Sequence, residues 1–211
     1  MSYVDYLIPG IIGQGVTFGI IGAGVATSND MQEGVIDRFR AMPVRRLSIV
    51  TGEVLGQYCE QILGLVVYLA LGLICGWRPQ LTFGGALQLG GLLLIAMFAF
   101  TWMGVYFGML VHSPDAVQGV GFMVVFPLSF LAGAFVPIAS MAKVPRFIGR
   151  WDPISAVVAA VRHLAQGYAS QGSWLLAHAE LATLLWSLLL LAIFVPLALR
   201  RFNNTAVAAG Q

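Results

Sequence analysis

The stretch "YLIPGIIGQGVTFGIIGAGVATS", Tyr6 to Ser28, contains no charged residue. The stretch that follows it, "NDMQEGVIDRFRAMPVRRLSI", Asn29 to Ile49, is the most charged in the chain. As a helix the first would be ~34 Å long at 1.5 Å per residue, enough to cross a hydrocarbon core of ~30 Å. The second is followed by another apolar run, "VVYLALGLICGW". A charged segment held between two lipid-soluble ones predicts a chain that crosses a membrane and returns.

Composition agrees. Of 211 residues, 59% are hydrophobic and 9% are charged, whereas soluble domains carry roughly 25% charged residues. A soluble core could not use that much apolar surface, so the excess must face lipid. The formal net charge of +2 gives no ground for a nucleic-acid partner. Five stretches are long and apolar enough to span: about Tyr6–Ser28, a run from after Ser48 to Trp77, and about Gly85–Val111, Val117–Ala139 and Leu181–Leu199. The expected fold is an all-α polytopic helix bundle forming one domain over residues 1–211. A cytoplasmic segment covers 29–47, and residues 203–211 read as a flexible tail. Residues 140–178 combine basic residues with "ISAVVAAV", which is too short to span, and predict a re-entrant or interfacial segment on the opposite side.

Arginine placement sets the orientation. No Lys or Arg precedes the first span, and Arg38, Arg40, Arg45 and Arg46 follow it, which puts the N-terminus outside and the charged stretch in the cytoplasm. Alternation then leaves Arg78, Lys143, Arg146, Arg150 and Arg162 outside, against the usual bias. The start lacks the basic region of a secretory signal. Cys59 and Cys75 would lie about 24 Å apart on one helix, too far for a disulfide, and read as packing residues.

The charged stretch has helical periodicity. Asp30 is placed to cap a new helix with Glu33 three residues on, and Pro43 to stop it. Val35, Phe39 and Met42 share one face, and Glu33, Asp37 and Arg40 another. A lipid-surface helix favours a Lys/Arg-rich polar face, but three acids interrupt the arginines here. Two readings fit: a short helix for a protein groove, or a solvated loop that sets topology.

The longer run "DMQEGVIDRFRAMPVRRLSIVTGEVLG" resembles the cytoplasmic coupling segment of type-2 ATP-binding-cassette exporter permeases, the membrane subunits of daunorubicin-resistance-type exporters. Glu33, Gly34, Asp37, Arg38, Pro43 and Arg45 carry the likeness. "FPLSFLAGAFVPIASMAKVPRFIGRWDPISAVVAAVR" resembles the family's second signature through Phe126, Pro127, Phe130, Gly133, Pro137, Pro153 and Arg162. Members ordinarily have six spans, and by this likeness the first span here corresponds to the family's second. The resemblance implies a multi-pass permease of the cell membrane, acting as a dimer with a second copy or homologue. It implies that a separate cytoplasmic ATPase, which holds ATP and Mg, grips Asp30 to Arg46, with Asp30, Phe39 and Arg40 among the contacts. Amphipathic drugs or lipids are the implied cargo.

The residues themselves exclude some chemistry. A P-loop needs G-x-x-x-x-G-K-[ST], and the one lysine, Lys143, follows Ala142, so the chain is expected to hold no ATP, no other cofactor and no metal. His112, His163 and His178 lack metal-ligand spacing. On the second span Glu53, Gln57, Glu60 and Gln61 recur at three- and four-residue spacing and form a polar face. Intramembrane carboxylates usually face water or a bundle interior. Gln57, Glu60 and Gln61 therefore read either as the wall of a translocation path or as hydrogen bonds to a neighbouring helix. Gly15 and Gly19 form a G-x-x-x-G that suits close packing within the subunit or a dimer seam. A secondary transporter or a non-transporting scaffold is the rival reading, but the former usually shows internal repeats and midplane ionisable groups, and neither is evident here.

Overall fold

A computed structural model of the chain describes residues 3–34, 46–111, 113–136, 138–167 and 174–208. Every regular element among them is helical: α1 (Tyr3–Gln32), α2 (Arg46–Ile74), α3 (Phe83–Leu110), α4 (Pro114–Leu131), a 3-10 turn (Ile138–Ser140), α5 (Lys143–Trp151), α6 (Pro153–Gln166), α7 (Trp174–Ala177) and α8 (Ala179–Ala208). α1, α2, α3, α4 and α8 are long and apolar enough to cross a membrane. α8 runs on through Ala208, into the stretch read from sequence as a tail.

Contacts at the helix ends sort the bundle into two faces, as alternating spans require. At one face Ser28 near the end of α1 donates to the Val111 carbonyl just beyond α3, 2.9 Å. At the other, Tyr6 near the start of α1 donates to the Gly133 carbonyl beyond α4, 2.9 Å. Gln88 of α3 reaches Glu180 of α8 at 2.6 Å on that same face.

Two further boundaries differ from the sequence reading. The first span continues to Gln32, so Asp30 sits in its last turn and caps no new helix. Glu33 N–H donates to the Asn29 carbonyl at 2.9 Å, and Gly34 at φ +68° ends the helix in the left-handed region that glycine reaches without a Cβ clash. α4 stops at Leu131 rather than Ala139, because Gly133 at φ +73° turns the chain out of the helix.

α1 is the central helix and packs most extensively on α3. Gly104 and Gly108 of α3 make that crossing close, since a Cβ at either would strike the backbone carbonyl of Ile20 or Gly24. The main core, including Ile12, Val16, Met97, Phe100 and Val161, joins α1, α3 and α6. α6 belongs to the 140–178 segment expected to be re-entrant or interfacial, and it is buried on nearly every side between α1, α3 and α8. Asp152 caps it by accepting from Ile154 N–H at 3.2 Å, and Pro153 occupies its first position. The two cysteines are free and exposed, and so belong to the outward surface of the bundle and not to its packed interior.

Candidate functional site

A cavity of about 500 Å³ lies along the second half of α1. Gly15, Gly19, Gly22 and Asn29 line it from α1, Gln57, Glu60, Gln61 and Tyr68 from α2, and Gln118 and Phe122 from α4. From Gly15 to Asn29 is ~21 Å of helix rise, about two thirds of a ~30 Å hydrocarbon core. The cavity therefore reaches from mid-bundle to the face that holds the charged stretch. The first half of α1 is closed: Gly13 abuts Val158 of α6, and Gly10 abuts the Ala134 carbonyl.

The sequence predicts why these side chains converge. Gln57, Glu60 and Gln61 fall on one face of α2, and the structure turns that face toward the small residues of α1. Gln61 is held there. Its amide donates to Thr101 Oγ1 at 3.0 Å and to the Gly19 carbonyl at 3.3 Å, while its Oε1 has no partner among the described residues. Glu60 is exposed to the cavity. The G-x-x-x-G of α1 serves the same site, because Gly15 makes room for the Tyr68 ring and Gly19 for the Gln61 amide. These glycines pack within the subunit.

Below the cavity a polar cluster ties α1 to α2. Thr27 donates to Glu53 Oε1 at 3.1 Å, and Asp30 and Gln57 lie beside the same carboxylate. Asp30 and Gln57, predicted for coupling and for the path, thus meet through Glu53. Glu33 is exposed beside Gly34 at the end of α1. Asp37, Arg38, Phe39, Arg40, Pro43 and Arg45 lie outside the described residues, as do Pro137 and His112. His163 is 2.9 Å from Glu180, at the opposite face. Among the described residues no group of three His, Cys, Asp or Glu is placed to hold a metal.

Sequence reasoning missed the aromatic lining. Phe18 and Phe122 meet with ring centroids 5.5 Å apart and planes inclined at 58°, at the α1–α4 side of the cavity. Phe18 sits next to Gly19 in sequence, but only the fold brings it to α4.

The model of the ABC-2 type transporter family matches residues 1–165. The chain belongs to the ABC-2 type transporter family. It is 29% identical over 205 residues to "Daunorubicin resistance ABC transporter permease protein DrrB1" of Streptomyces coeruleorubidus, covering 96% of this chain and 70% of that protein. It is 30% identical over 210 residues to "Doxorubicin resistance ABC transporter permease protein DrrB" of Mycobacterium tuberculosis, covering 93% of this chain and 69% of that protein. No solved structure gives a significant match. This ABC-2 chain is accordingly a multi-pass integral protein of the cell membrane, the permease side of a transporter whose ATP-binding cassette is a separate subunit.

Proposed function

We propose that the chain is the export pathway of a drug-extruding transporter and that the α1–α2–α4 cavity is its loading site, caught open toward the cytoplasm. The carrying observation is asymmetry. The cavity runs to the face that holds the charged stretch, while α6 and the Gly133–Ala134 turn fill the other half. A pathway with access from one face at a time is what alternating access requires.

The roles divide along α1 and α2. Gln57, Glu60 and Gln61 line the path, with Phe18, Tyr68 and Phe122 as apolar walls for an amphipathic cargo. The stretch from Asp30 to Arg46 is the element gripped by the ATPase, which binds ATP and Mg. It joins α1 directly to α2, and the Thr27–Glu53 hydrogen bond fastens those helices to each other at that end. Closure of the ATPases would then tilt the two cavity walls together. A second permease copy or homologue completes the assembly. The cargo class is supported by the names of the two relatives, and the apolar lining suits it.

Gly22 supplies the test. It lines the cavity, and a Cβ there would meet nothing within 4 Å. Gly22→Leu should fill the site, abolish drug extrusion and leave copurification of the cognate ATPase intact. Unimpaired extrusion by Gly22→Leu and by Glu60→Gln would show that cargo passes elsewhere.

A further inference from the structure

α5 carries a surface that lies apart from the cavity. Val144, Phe147, Ile148 and Trp151 recur at three- and four-residue spacing on one face, with 70%, 66%, 40% and 58% of their surfaces exposed. On the adjoining flank Lys143, Arg146 and Arg150 recur in the same way. The opposite side is docked, because Gly149 lies against the Leu131 carbonyl at the end of α4. A nine-residue helix with such a division is poorly suited to water and too short to span.

Its place in the bundle says what covers it. α4 crosses the membrane and ends at Leu131, so α5 lies at the bilayer boundary, at the face opposite the charged stretch. The basic flank then stands at headgroup level. A helix with Lys/Arg beside a face bearing Trp and Phe is the pattern of interfacial membrane binding. Arg146 is spoken for, as its Nε and Nη2 both donate to the Met141 carbonyl, at 3.1 and 2.7 Å. Lys143 and Arg150 remain to meet headgroups.

We infer that α5 is an interfacial helix that binds anionic phospholipid, with Val144, Phe147, Ile148 and Trp151 among the acyl chains and Lys143 and Arg150 on the headgroup phosphate. This accounts for the basic residues that the orientation rule leaves on the unexpected side: on α5 they serve a lipid and not topology. The inference rests on the five spans and is independent of cargo and ATPase.

Brominated lipids, which quench tryptophan on contact, provide the test. The whole chain is reconstituted in equal mixtures of phosphatidylcholine and phosphatidylglycerol, with bromine on one lipid or the other. The share of Trp151 is taken as the difference from Trp151→Phe. Its emission should be quenched by both lipids and several-fold more strongly by brominated phosphatidylglycerol. Lys143→Gln with Arg150→Gln should remove that preference, bringing quenching by the two lipids to near equality, while quenching by brominated phosphatidylcholine persists. Added inorganic phosphate should leave the preference intact. No quenching by either lipid would mean that water, a second copy or another protein covers α5. That result would overturn the inference, as would a preference that survives the double substitution or disappears with free phosphate.

Discussion

Arg162 of α6 donates from Nη2 to the Gly133 carbonyl at 2.8 Å, joining a buried helix to the turn that ends α4. The same nitrogen reaches the Ala134 and Tyr6 carbonyls at 3.2 Å each, and the guanidinium lies 3.9 Å from the Tyr6 ring centroid. One cation thus fastens α1, α4 and α6 at the closed end of the cavity. It also satisfies carbonyls of the turn just beyond α4, where a positive charge near the helix C-terminus is favourable. Hydrogen bonds from a charged group contribute about 1.5–3 kcal/mol, and a lysine lacks the planar fork that serves several carbonyls. Arg162→Lys is expected to lower stability by ~2–3 kcal/mol, read as a fall in the thermal midpoint in detergent. Tyr6→Phe, which keeps the ring and loses one hydrogen bond, should cost ~1 kcal/mol.

The glycines separate in the same assay. A Cβ at Gly104 would strike the Ile20 carbonyl, a backbone atom that cannot swing aside, whereas a Cβ at Gly22 would point into open space. Overpacking a close helix crossing costs about 1–3 kcal/mol. Gly104→Ala should therefore lose about that much stability. Gly22→Ala should stay within ~0.5 kcal/mol of wild type.

Much of this plan is legible in the sequence, for a physical reason. Hydropathy is a local property, and a span must be apolar along its own length, so five helices follow from composition alone. The polar face of α2 is equally local, because Gln57, Glu60 and Gln61 share a helix. What escapes is whatever a distant segment decides. The Gly104–Gly108 crossing needs α1 as its partner, and the aromatic wall needs Phe18 to meet Phe122 across two helices. The end of α4 depends on Gly133, whose carbonyl is held by Arg162 and Tyr6. Asp30 misled because a capping pattern is satisfied as well by residues finishing one helix as by residues starting another.

Asp152 predicts a pH dependence. Burial pushes its carboxyl up to about 7, against the opposing pull of hydrogen bonds from Ile154 and Ser155. An unfolded aspartate titrates near ~4, so between about pH 4 and 7 the folded chain holds the extra proton. The stability from this group is fully present below ~4 and is lost as pH rises to about 7. Asp152→Asn keeps a good cap without the charge. Its thermal midpoint should fall less steeply than that of wild type across the same pH range.

Coupling is tested at Phe39. A large anchor truncated at an interface commonly costs over ~2 kcal/mol, about thirtyfold in affinity. Phe39→Ala should insert normally and capture the cognate ATPase far more weakly than wild type, while Gln32→Ala captures it well. Equal capture by Phe39→Ala would reduce the stretch to a topological loop.

The central claim is that this chain moves cargo only when a separate ATPase drives it. The direct measurement is accumulation of a fluorescent amphipathic drug in proteoliposomes containing the permease alone, the cognate ATPase alone, or both, with and without hydrolysable ATP. Accumulation is predicted only with both proteins and ATP, and it should survive collapse of the proton and sodium gradients. Accumulation by the permease alone, driven by an ion gradient and indifferent to ATP, would contradict the account and make the chain a secondary transporter.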